Sequence, residues 1–185
     1  MRVIGTVGLA GSGKGEAANV ARELGVPVVT MGDVIRAECR DRGLDPETHH
    51  GEVARALREE NGPAAVAERS LPLIENRLDE SEMVLVDGIR SDAEVDAFEA
   101  AFGDAFTLVS IEAPYELRAE RVRERGRDRT DEEGGESLRE RDERELGFGM
   151  DEAMERADVT VENAGSLAAF RERVKTLLED GSDGR

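Results

Sequence analysis

The chain has almost no lysine: of 25 basic residues only Lys14 and Lys175 carry an ammonium, and arginine supplies the rest of the positive charge. It has one cysteine, Cys39, which excludes an internal disulfide; lying in a helical pattern, Cys39 is expected as a small buried hydrophobe. No apolar run approaches the roughly 20 residues that span a bilayer, which excludes a transmembrane helix. Met1-Arg2-Val3 leads straight into a strand-like segment, so no signal peptide is expected and the cytoplasm is the consistent compartment. A basic surface is missing as well. With 43 acidic residues and a net charge of −18, the chain would repel a phosphate backbone, so nucleic-acid binding is not expected.

What is present excludes an unfolded acidic protein, because the hydrophobic fraction is 38% and the apolar residues are periodic. The acidic, lysine-poor composition resembles that of proteins from salt-loving archaea, where surface charge maintains solubility. A length of 185 residues suits one domain, here assigned to residues 1–180, with residues 181–185 a frayed tail. A monomer or a homodimer is expected.

One lysine sits in an unusual place. Val3-Ile4-Gly5-Thr6-Val7 is a strand-like run, and Gly8-Leu9-Ala10-Gly11-Ser12-Gly13-Lys14-Gly15-Glu16 follows it with the G-x-x-x-x-G-K spacing of a phosphate loop. Glycines let consecutive N–H groups turn inward on a phosphate, the next helix adds its positive N-terminal dipole, and Lys14 reaches the β- and γ-phosphates. ATP is therefore the expected ligand, bound by residues 8–16.

Apolar runs alternate with amphipathic ones, which predicts an α/β fold: a five-stranded parallel sheet flanked by helices, of the P-loop NTPase type. Strands are expected at Val3–Val7, Val26–Thr30, Met83–Asp87, Phe106–Glu112 and Val159–Glu162. Helices are expected at Lys14–Leu24, Gly32–Arg42, Glu47–Glu60, Ala64–Leu78 with a kink at Pro72, Asp92–Phe102 capped by Ser91, Tyr115–Arg125, Glu136–Leu146, Asp151–Arg156 and Ser166–Glu179. Residues 43–78 read as a helical insertion. The charged, glycine-rich stretch 126–135 reads as a lid that core packing cannot hold down.

The strand Met83–Asp87 delivers Asp87 at its carboxyl end, where ligands bind in doubly wound sheets, so Asp87 is the expected carboxylate for Mg²⁺ or its water shell. Arginines flank the lid. Of these, Arg121, Arg125 and Arg141 are the candidates to neutralise a phosphoryl group in transfer, Arg121 and Arg125 sharing one helical face. His49 and His50 have no cysteine partners, so no zinc site is expected and both read as surface residues.

The loop is similar to that of adenylate kinase and its relatives, whose loop also continues Gly-Lys-Gly. Thr30-Met31-Gly32-Asp33-Val34-Ile35-Arg36 and Asp87-Gly88-Ile89-Arg90 resemble the two segments with which those kinases hold the acceptor. Arg141-Asp142-Glu143-Arg144-Glu145 resembles their post-lid motif, and residues 157–167 resemble the last strand and turn of dephospho-CoA kinase and adenylate kinase relatives. Across nearly its whole length the chain most resembles an archaeal family of adenylate-kinase-like P-loop proteins. The resemblance implies that Arg36 and Arg90 hold the phosphate of a small, nucleotide-like acceptor, that the insertion caps this acceptor, and that Arg58 is a further ligand.

Three positions depart from the adenylate kinase pattern. Met31 replaces a hydroxyl residue, the second segment lacks its proline, and Glu94 stands near the base-reading glutamine, so the resemblance implies ATP more firmly than any acceptor. Glu16 replaces a further hydroxyl and is expected to lean away from the phosphates into solvent. Three readings stay open: a nucleoside monophosphate kinase type of phosphotransferase, a dephospho-CoA-kinase-like hydroxyl kinase with Asp33 as base, and a regulatory ATP switch.

Overall fold

A computed structural model describes residues 1–124 and 137–180. Arg125, the lid expected at 126–135 and the tail expected at 181–185 lie outside the described residues. The order of elements is β1 (Arg2–Val7), α1 (Lys14–Glu23), β2 (Val28–Thr30), α2 (Met31–Asp41), α3 (Pro46–Asn61), α4 (Ala65–Leu78), β3 (Met83–Asp87), α5 (Asp92–Phe102), β4 (Phe106–Glu112), α6 (Tyr115–Glu124), α7 (Leu138–Leu146), α8 (Met150–Glu155), β5 (Val159–Glu162) and α9 (Leu167–Asp180). The strands form one parallel sheet, as the alternating pattern predicts, and their order is β2-β3-β1-β4-β5.

The central strands are mostly apolar because helices cover both faces of the sheet. One face carries Val3, Val84, Val86 and Phe106 under α2, α3, α4, α5 and α8, with Phe98 of α5 stacked on Phe106; Ile4, Leu85, Val109 and Ile111 meet α1 and α9 on the other. Local signals start the helices where expected. Asp45 accepts a hydrogen bond from Glu47 N and Pro46 follows it; Ser91 accepts from Glu94 N; Ser137 and Glu140 form a reciprocal capping box.

Several helix ends shift by one or two residues from expectation, and one strand start differs for an identifiable reason. Strand β2 starts at Val28 rather than Val26, because Val26 N is used to close the end of α1 on Ala21 O, after Gly25 turns at φ 77°. Within residues 43–78, Val53, Ala54 and Leu57 of α3 and Ala65, Val66, Ala67 and Ile74 of α4 are all buried in the main core. Helix α4 continues through Pro72 to Leu78.

The register aligns Thr6 and Thr30 with Asp87, so the ends of β1, β2 and β3 meet at one edge. Above that edge α6 and α7 are locked together. Arg118 of α6 grips Asp142 of α7 with two hydrogen bonds of 2.9 and 2.6 Å, and the same guanidinium donates to Ala10 O at 3.0 Å. The lone Tyr115 lies between Arg118 and Arg139, each about 5.5 Å from its ring centre.

Both partners of the Arg118–Asp142 pair are buried, so removing one leaves an uncompensated charge. Asp142→Ala is expected to cost about 3 kcal/mol in denaturant unfolding, whereas Asp33→Ala, which breaks an exposed pair with Arg36, costs less than about 1 kcal/mol. Equal losses would contradict the assignment.

Candidate functional site

The loop between β1 and α1 is clasped from outside as well as built for inward amides. Gly11, at φ 79°, lies so close to α6 that an added Cβ would be 2.8 Å from Arg118 O; at Gly13, φ 120°, it would be 2.4 Å from Asn163 Nδ2. No other residue combines that dihedral with that space. Asn163, buried at the end of β5, donates to Ser12 O at 2.8 Å and accepts from Arg121 Nη2 at 3.2 Å. Ser12 Oγ is buried without a hydrogen-bond partner among the described residues.

Lys14 opens α1 and folds its ammonium back onto Gly8 O and Leu9 O. Burial lowers its pKa to about 8, Arg90 and Arg141 act the same way, and Asp87 and Glu145 oppose them. Lys14 and Asp87 line one cleft of about 380 Å³, together with Arg36, Arg58, Arg90 and Arg141. Ala10, Gly11, Gly13 and Gly15 form its loop side; Gly8 and Leu9 present carbonyls to Lys14.

Two of these cations share an acid. Glu145, buried on α7, accepts from Arg90 Nη1 at 2.8 Å and from Arg141 Nε at 3.2 Å. Burial pushes its carboxyl up, but Arg90, Arg141 and Lys14 outweigh that and hold it below the usual glutamate range. Glu94 accepts from Arg90 N at 2.8 Å and from Arg58 Nη2 at 3.4 Å; burial dominates there and raises its pKa.

Several expected residues stand elsewhere. Arg121 does not line the cleft: its guanidinium donates to Gly11 O and to Asn163, bracing the loop from behind. Asp33 is 67% exposed, does not line the cleft, and accepts from Arg36 Nε and Nη2 through one oxygen. Glu16 does turn away from the cleft, but into a half-buried ion pair with Arg171 of α9 rather than into solvent.

His50 corrects the sequence reading in the opposite direction, since it lines the cleft. Its position was legible: His50, Ala54, Leu57 and Arg58 follow the i, i+4, i+7, i+8 spacing of one helical face, and Ala54 and Leu57 are buried. Asn163 carried only a weak signal, a polar residue directly after an apolar strand.

Asp87 is the cleft's carboxylate at a strand end, with Thr6 Oγ1 3.3 Å from its Oδ1. Among the described residues no group of three or more His, Cys, Asp or Glu could cage a metal. One carboxylate beside a phosphate cradle nevertheless fits Mg²⁺, which keeps waters and phosphate oxygens as most of its ligands. Among the described residues no helix is long and apolar enough to cross a membrane.

Comparison with known proteins agrees with this architecture. Residues 7–139 match the model of a family described as AAA domain. A UPF0200 protein of Halobacterium salinarum is 60% identical over 178 residues, covering 96% of this chain and 93% of that protein. In fold the chain is similar to dephospho-CoA kinase from Campylobacter jejuni, with a TM-score of 0.63 at 17% identity over 100% of this chain and 99% of that one. It is likewise similar to shikimate kinase from Acinetobacter baumannii, with a TM-score of 0.59 at 17% identity, covering 99% and 96%. On a P-loop kinase fold, and with this match along almost its whole length, the chain belongs to the UPF0200 family of AAA-domain proteins.

Proposed function

We propose that the protein is an ATP- and Mg²⁺-dependent phosphotransferase that acts on a small, nucleotide-like acceptor bearing a phosphate. The observation that carries this reading is that one cleft of about 380 Å³ joins Lys14 and Asp87 to the guanidiniums of Arg36, Arg58 and Arg90. Two anions facing each other across such a cleft are held in line, which is most of what a loose phosphoryl-transfer transition state requires.

Each residue then has a task. The loop amides and Lys14 hold the triphosphate, and Lys14 exchanges Gly8 O and Leu9 O for phosphate oxygens. Asp87 would hold the metal's water shell; when bound, Mg²⁺ would offset the charge of the phosphates. Arg36, Arg58 and Arg90 take the acceptor's phosphate. Arg141, standing on α7 beside Lys14 and fixed by Glu145, neutralises the group in transfer, with Arg125 a further candidate outside the described residues. Arg121 keeps the loop in shape from behind rather than touching phosphate. The protein works in the cytoplasm as a monomer or homodimer, and its charge of −18 disfavours a nucleic-acid acceptor.

A dedicated base is dispensable when the nucleophile is already an anionic phosphate oxygen. That favours phosphate acceptors over the hydroxyl-kinase reading, whose base candidate Asp33 is exposed and engaged with Arg36.

Assayed in molar KCl against mononucleotides and dephospho-CoA, ADP formation should depend on one acceptor. Slow, acceptor-independent hydrolysis would instead mean a regulatory switch. Lys14→Ala should lose at least about 100-fold in ATP affinity, because a charge-assisted contact in a half-buried site is removed. Unchanged affinity would overturn the proposal. The pH profile follows from the lowered pKa of Lys14: ATP binds the ammonium form, so affinity stays level below about pH 8 and falls, by up to tenfold per unit, above it. A profile flat to pH 10 would contradict a role for that charge.

A further inference from the structure

His50 is one of two histidines in the chain, and it has no part in the roles above. It stands on α3 facing α2, with its Nε2 and the Arg36 guanidinium meeting over Gly32: a point one Cβ bond above Gly32 lies 3.7 Å from His50 Nε2 and 3.5 Å from Arg36 Nη1. Arg58, two turns along the same helix, and Arg90, from the turn after β3, line the same part of the cleft. Three permanent cations and one titratable ring therefore surround a single space.

We propose that His50 is a fourth ligand of the acceptor's phosphate, and that it takes a proton from solvent as the anion binds, so that the site selects a dianionic phosphate over a carboxylate. This rests on the reading that the arginine lobe holds the acceptor. Without an anion the ring's proton affinity is lowered, first by burial and then by Arg36; hydrogen bonding to the Gly32 backbone opposes them, and Arg90 and Arg58 add smaller contributions in the lowering direction. A phosphate dianion cancels the three guanidinium charges and turns the local field in favour of an imidazolium, which adds one more charge-assisted donor to the phosphate oxygens. A carboxylate brings half the charge and two oxygens, so it draws the proton less strongly.

Each element packed around the ring presents a group of known engagement. Helix α2 presents Arg36, whose far side is held by Asp33. Helix α5 presents Glu94, which is engaged by Arg58 and the Arg90 amide. Helix α4 brings the uncharged Val66 to the cleft lining. On α3 itself His49 turns to Asp45 O and Thr48. The ring of His50 thus faces Arg36 on α2, Arg58 on its own helix and Arg90 in the turn after β3.

Sulfate is a suitable probe because it stays dianionic between pH 5 and 8. With two histidines, proton NMR of the ring resonances follows each one, and His49→Gln assigns them; Lys14→Ala removes the competing loop site. At constant ionic strength set with KCl, sulfate should raise the His50 midpoint by about one pH unit or more, and sulfate affinity should gain the matching factor of about ten as pH falls from 7.5 to 5.5. His50→Gln should bind sulfate with no pH dependence in that range, and acetate should move the wild-type midpoint by less than half as much as sulfate. Sulfate binding that Arg90→Met abolishes but that leaves the His50 midpoint unmoved would overturn the role of His50 and spare the acceptor lobe. No sulfate binding sensitive to Arg36→Met or Arg90→Met would overturn both. An equal response to acetate would overturn the preference for phosphate.

Discussion

Like charges crowded into one cleft are the constraint on which the rest of this structure turns. Lys14, Arg36, Arg58, Arg90 and Arg141 line a space of about 380 Å³ in a molecule whose net charge is −18. Uncompensated, such a group of cations would open the fold; buried acids make it tolerable. Glu145 serves Arg90 and Arg141 at once, Glu94 serves Arg58 and the backbone of Arg90, and Asp87 raises the proton affinity of Lys14 that burial lowers. The compensation is incomplete at Lys14, and a bound polyphosphate would complete it.

The fold serves that balance. A parallel sheet brings three strand ends to one edge, which puts the glycine loop, Asp87 and the start of α2 side by side. Helices α6 and α7 then add a buried Arg118–Asp142 pair that also grips Ala10 O, so the loop is tied to the elements on either side of the undescribed stretch 125–136. Outside the cleft the acidic surface repels anions over a distance that salt shortens to a few ångströms, which is consistent with a chain built for a concentrated electrolyte.

The sequence was most informative where chemistry and backbone geometry coincide. Glycines at 8, 11 and 13 before Lys14 combine a backbone that must curl with a cation placed to meet a phosphate, and continuous apolar strands in a parallel sheet leave little freedom in placing Met83–Asp87 or Phe106–Glu112. It was least informative about which of many arginines face inward. Arg121 and Arg118 are equivalent by spacing, yet one braces the loop through Asn163 and the other holds Asp142, because Asn163 and Asp142 arrive from distant parts of the chain. His50 was overlooked for a different reason: beside His49 it looked like a polar surface pair, whereas its spacing to Ala54, Leu57 and Arg58 marks the inward face of α3.

The central claim is that one cleft holds two anion sites, a triphosphate site at Lys14 and an acceptor site at Arg36, Arg58 and Arg90. A crystal structure of the protein grown with ADP, Mg²⁺ and sulfate tests it most directly. The account predicts the ADP phosphates on residues 8–15 with Lys14 released from Gly8 O and Leu9 O, and sulfate among the three guanidiniums. Sulfate bound elsewhere, with Lys14 still on those two carbonyls and the nucleotide outside the loop, would contradict it.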